Sequence, residues 1–138
     1  MKSIKLAILL IGMAGTASAH ADTVVRKGGE WRLVVSGLSP EPKTVEMCLA
    51  ATTPEQSIAK LAAGKTCSKK DLSYNGNDVT FDLACNDLEI QGTTTMRGEN
   101  VLKTDFVLKS GTGSSAKSMH TTIDSTWLGP CKPGETPH

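Results

Sequence analysis

Residues 71–85 have the sequence DLSYNGNDVTFDLAC, and this stretch decides the fold of the chain. Apolar and polar side chains alternate on both sides of Asn75-Gly76, a dipeptide typical of a two-residue type I′ hairpin turn. A turn at these two residues places Leu72 opposite Val79, with both side chains facing the core. The stretch therefore predicts an antiparallel β-hairpin.

The same alternation continues on both sides of the hairpin. It predicts strands in residues 31–36, 44–49, 88–96, 102–108 and 118–127. About seven strands with short turns favour a mainly β fold, in which one antiparallel sheet is strongly curved or closed into a small barrel. We expect the two tryptophans to anchor the interior.

One short helix is expected over residues 54–63. Thr53 is a favourable N-cap, Pro54 suits the first helical position, and Gln56 completes a capping box. Gly64 then provides a C-terminal stop. The residues expected on the buried side of the helix are Ile58, Leu61 and Ala62.

The first 19 residues have the pattern of a cleaved secretory signal peptide. A basic start is followed by an apolar run over residues 6–15 and by the small-x-small sequence Ala17-Ser18-Ala19. The overlapping pattern at 19–21 leaves cleavage after either Ala19 or Ala21 open. The run is too short to cross a bilayer, which takes about 20 residues. We therefore expect residues 20–138 to be a single soluble domain, exported to the periplasm, with no stable membrane insertion after cleavage.

The charge balance argues against a nucleic-acid partner. The chain has 15 Lys and Arg, and loss of Lys2 and Lys5 with the signal peptide leaves 13 against 14 Asp and Glu. Binding to nucleic acid needs clustered basic side chains that neutralise several phosphates. No such cluster is present in the sequence.

The four cysteines are expected to form two disulfides, because their number is even and the periplasm is oxidising. Their spacing lacks the close pairs of a zinc site and the Cys-x-x-Cys of a redox site. We expect no metal and no other cofactor.

The strand pattern also bears on the cysteine pairing. In the predicted hairpin Cys67 faces outward, whereas Cys85 shares the inward face of Phe81, so the two cannot meet unless a bulge intervenes. We therefore predict the pairs Cys48 with Cys67 and Cys85 with Cys131.

The candidates for catalysis do not form a site. His120, Asp124 and Ser125 suggest a nucleophilic triad by residue type. In a strand, however, His120 and Asp124 would lie about 13 Å apart, and Ser125 would point to the opposite face. We expect no catalytic residue and no enzymatic activity.

Several hydroxyl side chains fall on positions predicted to face inward, namely Thr94, Thr104, Thr121 and Ser125. Small hydroxyl residues can fill a narrow sheet and bond to nearby backbone, which is the interpretation we favour. They can also line a semi-polar cavity for a small ligand.

A set of short motifs gives the chain a family resemblance. They are Gly-Glu-Trp-Arg at 29–32, Met-Cys-Leu at 47–49, Cys67, the Asn-Gly hairpin leading to Cys85, and Trp-Leu-Gly-Pro-Cys-Lys-Pro-Gly at 127–134. With these motifs the chain resembles the bacterial domain-of-unknown-function family numbered 3617, over about residues 28–134. The resemblance implies a small periplasmic protein with four cysteines. It supplies no reaction, ligand or catalytic residue.

Two functional hypotheses follow from an exported, disulfide-stapled β domain without an active site. The first is a monomeric, non-enzymatic binding or accessory module that contacts an envelope protein or a cell-wall component. The alternative is a carrier of a small ligand, with a cavity inside the curved sheet.

A sharper form of the first hypothesis concerns the loop at residues 110–117. Small periplasmic β-barrels that inhibit lysozyme carry a Ser/Gly-rich loop followed by a basic residue, and this loop is distantly similar. The interaction residues would then be Ser110, Gly111, Ser114, Ser115 and Lys117. Gly/Ser composition alone predicts only a flexible hairpin loop, which is the interpretation we favour.

Overall fold

The computed structural model describes residues 26–111 and 115–138, and there the chain forms a seven-stranded antiparallel sheet and a short helix. In chain order the elements are β1 (Gly29–Ser36), β2 (Lys43–Leu49), α1 (Pro54–Ala62), β3 (Cys67–Asn75), β4 (Asp78–Cys85), β5 (Leu88–Met96), β6 (Val101–Ser110) and β7 (Lys117–Gly129). The strands are arranged in the order β2-β1-β7-β6-β5-β4-β3. The predicted signal peptide, residues 1–19, lies outside the described residues.

The mainly β class, the seven strands and the single short helix are confirmed, but the sheet is neither closed nor strongly curled. The prediction of a strongly curved sheet or small barrel was therefore wrong. Closure would bring β2 against β3, and both edge strands carry exposed charges, among them Lys43 and Glu46 on β2 and Lys69 and Lys70 on β3. Charged edge strands disfavour pairing with a further strand.

The predicted hairpin is formed by β3 and β4 with a different register. The turn lies at residues 76–77 rather than 75–76, so Leu72 lies opposite Phe81 and not opposite Val79. A shift of two residues leaves each side chain on the same face of the sheet. The predicted core face is therefore correct, and Val79 is fully buried there.

The predicted cysteine pairing was wrong, because the disulfides join Cys67 to Cys85 and Cys48 to Cys131. The register of β3 against β4 shifts by one residue between Cys67 and Lys69. Such a bulge moves the residues beyond it to the other face of the strand. Cys67 therefore faces the same way as Cys85, directly opposite it.

The other disulfide fixes the C-terminal tail to β2. After β7 the chain returns toward the end of β2, where Cys131 bonds to Cys48. The backbone N–H of Ala50 donates to the carbonyl of His138 at 2.9 Å, and the N–H of His138 donates to the carbonyl of Cys48 at 3.0 Å. The last residue of the chain is thus bonded to the backbone beside β2.

The helix α1 begins at the predicted capping box. The Thr53 hydroxyl accepts a hydrogen bond from the Gln56 N–H at 3.2 Å, and the Gln56 side-chain carbonyl accepts one from the Thr53 N–H at 3.0 Å. Ile58 is buried as expected. Leu61 was also expected to be buried but is 44% exposed, because α1 packs on β3 and β4 mainly through Ile58.

One face of the sheet is apolar and contains the core. Trp31 is completely buried in one cluster with Leu49, Val79 and Leu102, and Trp127 packs against the same cluster. The second cluster consists of Ile58, Leu83 and Ile90. The opposite face carries most of the charged and Thr side chains, so we refer to the two as the apolar and the polar face.

Candidate functional site

A cavity of about 550 Å³ lies on the apolar face beside the helix, and we refer to it as the α1 cavity. Its floor is formed by side chains of β3 to β6: Leu72, Val79, Phe81, Leu88, Ile90, Thr94, Leu102, Thr104, Phe106 and Leu108. Its wall is formed by α1 and the residues before it: Thr52, Thr53, Pro54, Ser57, Ile58 and Leu61. The cavity arises because α1 packs on β3 and β4, while the apolar side chains of β5 and β6 face the open space next to it.

A glycine lies between floor residues on β5 and on its two neighbouring strands. Gly92 on β5 is directly opposite Phe81 on one neighbouring strand and Phe106 on the other. A Cβ atom at position 92 would lie 2.5 Å from the Cβ of Phe106 and closer still to the carbonyl oxygen of Asp105. Glycine therefore allows β6 to lie close to β5 between the floor residues Phe81 and Phe106.

Two of the four hydroxyl residues predicted to face inward line the α1 cavity. Thr94 and Thr104 lie opposite each other on β5 and β6, and their hydroxyl oxygens form a hydrogen bond of 2.9 Å. Thr121 and Ser125 are buried elsewhere on the apolar face. This bond gives each of the two hydroxyls a partner, which lowers the cost of placing them in apolar surroundings.

Arg26 lies at one end of the α1 cavity. Its backbone pairs with Thr52 through hydrogen bonds of 2.9 and 3.0 Å, which places it beside the start of α1. One guanidinium nitrogen donates to the carbonyl of Ala50 at 2.9 Å, whereas the buried Nε has no hydrogen-bond partner among the described residues. Burial lowers the pKa of Arg26, but a guanidinium remains charged at neutral pH.

The charge of Arg26 stands alone in its surroundings. Of the residues lining the α1 cavity, Arg26 is the one with a charged side chain. Within the described part of the chain, no carboxylate forms a salt bridge with it. The α1 cavity is therefore an apolar space with one positively charged end.

The helix that walls the cavity is tied to the sheet by a polar contact. The Tyr74 hydroxyl on β3 donates a hydrogen bond to the carboxylate of Glu55 in the first turn of α1. The pKa of Tyr74 is raised to about 12, with desolvation as the largest cause and this bond to Glu55 as the second. The same bond is the main cause that lowers the pKa of Glu55.

The motif at residues 127–134, which carries part of the family resemblance, lies away from the α1 cavity. Lys27 lies over the Trp127 ring, 3.7 Å from its centroid, and the Trp127 indole N–H donates to the carbonyl of Gly28 at 3.3 Å. Cys131 is bonded to Cys48. The motif thus holds the segment before β1 and the end of β2, and none of these residues lines the α1 cavity.

Comparison with known proteins agrees with this resemblance. The family model described as "Protein of unknown function (DUF3617)" matches residues 26–131. This chain belongs to the DUF3617 family. The matched region includes the four cysteines and every residue that lines the α1 cavity. No curated protein and no solved structure matches the chain.

The loop predicted as an interaction site is only partly described. Ser110 ends β6 directly opposite Lys117, which begins β7, and Gly111 and Ser115 are exposed between them. Ser114 lies outside the described residues. None of the four described residues lines the α1 cavity, and a role of this loop in protein contacts stays a prediction.

The residues considered for a triad are not brought together. His120 lies on the polar face against the carboxylate of Asp105 on β6, and both side chains are exposed. Ser125 is buried on the apolar face, as the strand pattern predicted. The nearest acidic partner of His120 is therefore on a neighbouring strand and not at Asp124.

Three further observations concern location and metal binding. The two disulfides are consistent with an oxidising, extracytoplasmic location. Over residues 26–111 and 115–138, no helix has both the length and the apolar character needed to cross a membrane. In the same ranges, no three His, Cys, Asp or Glu residues are grouped closely enough to hold a metal ion.

Proposed function

We propose that the chain is a non-enzymatic, extracytoplasmic binding protein that holds a small, largely apolar molecule in the α1 cavity. The observation that carries this proposal is the cavity itself, with about 550 Å³ of space between the helix and the apolar face. Small-molecule sites typically have volumes of roughly 300–1,000 Å³ and are lined mainly by apolar side chains with a few polar groups. The α1 cavity matches both criteria.

The residues that line the α1 cavity determine what kind of molecule binds there favourably. The leucine, isoleucine and phenylalanine side chains of the floor offer dispersion contacts but almost no hydrogen-bonding partners. Each methylene group transferred from water into such surroundings contributes about 0.8 kcal/mol. Affinity should therefore rise with the length of an apolar chain until the cavity is filled.

The proposed location is the periplasm, reached through the signal peptide at residues 1–19. The sequence pattern of this segment and the two disulfides support it. Fractionation of cells that express the full chain, with mass spectrometry of the mature protein, tests it. The mature chain is expected in the periplasmic fraction, and its N-terminus is expected at His20 or Asp22.

Binding can be tested with a neutral, apolar fluorescent probe such as N-phenyl-1-naphthylamine. The oxidised protein is expected to bind it saturably, with one probe per chain. Ser57 lines the cavity from α1, so Ser57→Phe should weaken binding by at least about tenfold, equivalent to about 1.4 kcal/mol. Lys60→Phe is the matched control, since Lys60 is exposed on the same helix and does not line the cavity.

Two results would contradict the proposal. One is the lack of saturable probe binding by the folded, oxidised protein. The other is equal probe affinity in the wild type and Ser57→Phe, which would place the probe outside the α1 cavity. Thermal unfolding of each variant establishes that the comparison is made between folded proteins.

A further inference from the structure

The positively charged end of the α1 cavity has an unused hydrogen-bond donor. The Arg26 side chain uses one guanidinium nitrogen for the Ala50 carbonyl, and its buried Nε–H has no partner among the described residues. The Nε atom is enclosed by the protein, but a guanidinium has five N–H donors, and a ligand oxygen can accept from those at its outer nitrogens that Ala50 does not use. The donor group therefore favours a ligand with an acceptor at this end.

The surroundings of Arg26 favour a negatively charged acceptor over a neutral one. No described carboxylate compensates the guanidinium through a salt bridge. Thr53 and Pro54, at the N-terminus of α1, line the same cavity, but the Glu55 carboxylate in this first turn offsets the positive end of the helix dipole. The attraction for an anion therefore comes from the guanidinium of Arg26, which no described carboxylate compensates.

The remainder of the cavity limits the ligand to a single charge at one end. The floor is apolar apart from Thr94 and Thr104, whose hydroxyls are bonded to each other. A second charged group on the ligand would lose its hydration there without gaining a partner. The part of the ligand that lies on the floor is therefore expected to be apolar.

We infer that the ligand of the α1 cavity is an amphiphile with one carboxylate head group, and that Arg26 binds this head group while the apolar chain lies over the floor. The inference rests on the proposed function, which it makes more specific. A guanidinium can bind a carboxylate through two parallel N–H···O bonds, and such charge-assisted bonds are stronger than neutral ones. A monoanion matches the single positive charge of the cavity.

The test uses three amphiphiles that have the same chain and different heads: dodecanoate, dodecanol and dodecylamine. Each displaces N-phenyl-1-naphthylamine from the oxidised protein at neutral pH, below its micelle concentration. We expect the wild type to bind dodecanoate at least about tenfold more tightly than dodecanol, and dodecylamine more weakly than both. Arg26→Gln should remove the preference for dodecanoate, so that this variant binds dodecanoate no more tightly than dodecanol.

The matched control is Lys27→Gln. Lys27 is the next residue in the chain and carries the same charge, but it lies over Trp127 and does not line the cavity. This variant should keep the preference for dodecanoate. If Lys27→Gln loses the preference as Arg26→Gln does, the effect reflects net charge, and the role of Arg26 is refuted.

The outcomes separate this inference from the proposed function. The inference is overturned if the wild type shows no preference for dodecanoate over dodecanol, or if Arg26→Gln keeps the preference. In either case the proposed function remains. If neither the probe nor any amphiphile binds, both fail. Native mass spectrometry should show a complex of one chain with one dodecanoate, and a dimer that excludes dodecanoate would instead identify a second copy of the chain as the occupant.

Discussion

The Tyr74 hydroxyl on β3 donates a hydrogen bond to the Glu55 carboxylate on α1, and this bond fixes the first turn of the helix to the edge of the sheet. Tyr74 is the single tyrosine of the chain, so its ionisation can be followed by the absorbance of the phenolate. We expect it to ionise with a pKa of about 12 in the folded protein, compared with 10.0 for an ordinary tyrosine. Glu55→Gln should lower this pKa only in part, because desolvation is the larger cause.

A linked effect on stability gives a second readout of the same contact. A tyrosine whose pKa is raised on folding contributes stability that is fully present below pH 10.0 and is lost as the pH rises to about 12. Urea unfolding across this range should show a steeper loss for the wild type than for Tyr74→Phe. Glu46→Gln on the other edge strand is the control and should titrate Tyr74 as the wild type does. A folded-state pKa near 10 would refute the contact.

The two disulfides should contribute unequally to stability. Cys48–Cys131 closes 83 residues and Cys67–Cys85 closes 18. In the chain-entropy estimate these loops correspond to about 4.5 and about 3 kcal/mol. Replacement of Cys48 and Cys131 by alanine should therefore lower the free energy of unfolding more than replacement of Cys67 and Cys85. Urea denaturation of the two double variants measures the difference, and an equal or reversed order would contradict it.

Single substitutions test the connectivity directly. Cys67→Ala should leave Cys85 as the reactive thiol, because these two lie opposite each other across β3 and β4. Thiol labelling followed by peptide mass spectrometry identifies the labelled residue. Labelling at Cys48 in this variant would instead support the pair Cys48 with Cys67, which the alternating strand pattern predicted.

The error in the cysteine pairing shows what an alternating pattern can and cannot predict. The pattern assigns a face to Leu72, Val79 and Phe81 correctly even though the turn is displaced, because a two-residue shift preserves the face. The one-residue shift next to Cys67 reverses the face, and no residue type in the sequence marks it. The faces of continuous strands were therefore predictable, whereas the bulge was not.

The α1 cavity was predictable from the sequence only in part. Inward hydroxyls at Thr94 and Thr104 suggested a semi-polar space, and the capping box placed the helix correctly. The role of Arg26 was missed because it depends on backbone pairing with Thr52, a contact between distant parts of the chain. The open sheet was missed for the same reason, since strand order between β1 and β7 is non-local.

The capping box of α1 should support both stability and the cavity wall. Thr53→Ala removes the acceptor for the Gln56 N–H and should lower the free energy of unfolding by about 1 kcal/mol. It should also weaken probe binding, because Thr53 and the helix behind it line the cavity. Thr53→Ser keeps the hydroxyl and is the control, with near wild-type stability. Equal stability of the alanine and serine variants in urea denaturation would refute the role of the cap.

Gly92→Ala should destabilise the sheet. The new Cβ would lie 2.5 Å from the Cβ of Phe106 and would also contact the backbone of Asp105, so β5 and β6 must move apart. Overpacking of this kind costs about 1–3 kcal/mol. Thr93→Ala is the control, because residue 93 lies on the polar face, where its hydroxyl has only a 3.4 Å contact with Thr80. Urea denaturation should show a clear loss for Gly92→Ala and a small one for Thr93→Ala. If Gly92→Ala leaves the free energy of unfolding unchanged, the result contradicts this prediction. It would show that β5 and β6 are packed less tightly at this position than the short contacts indicate.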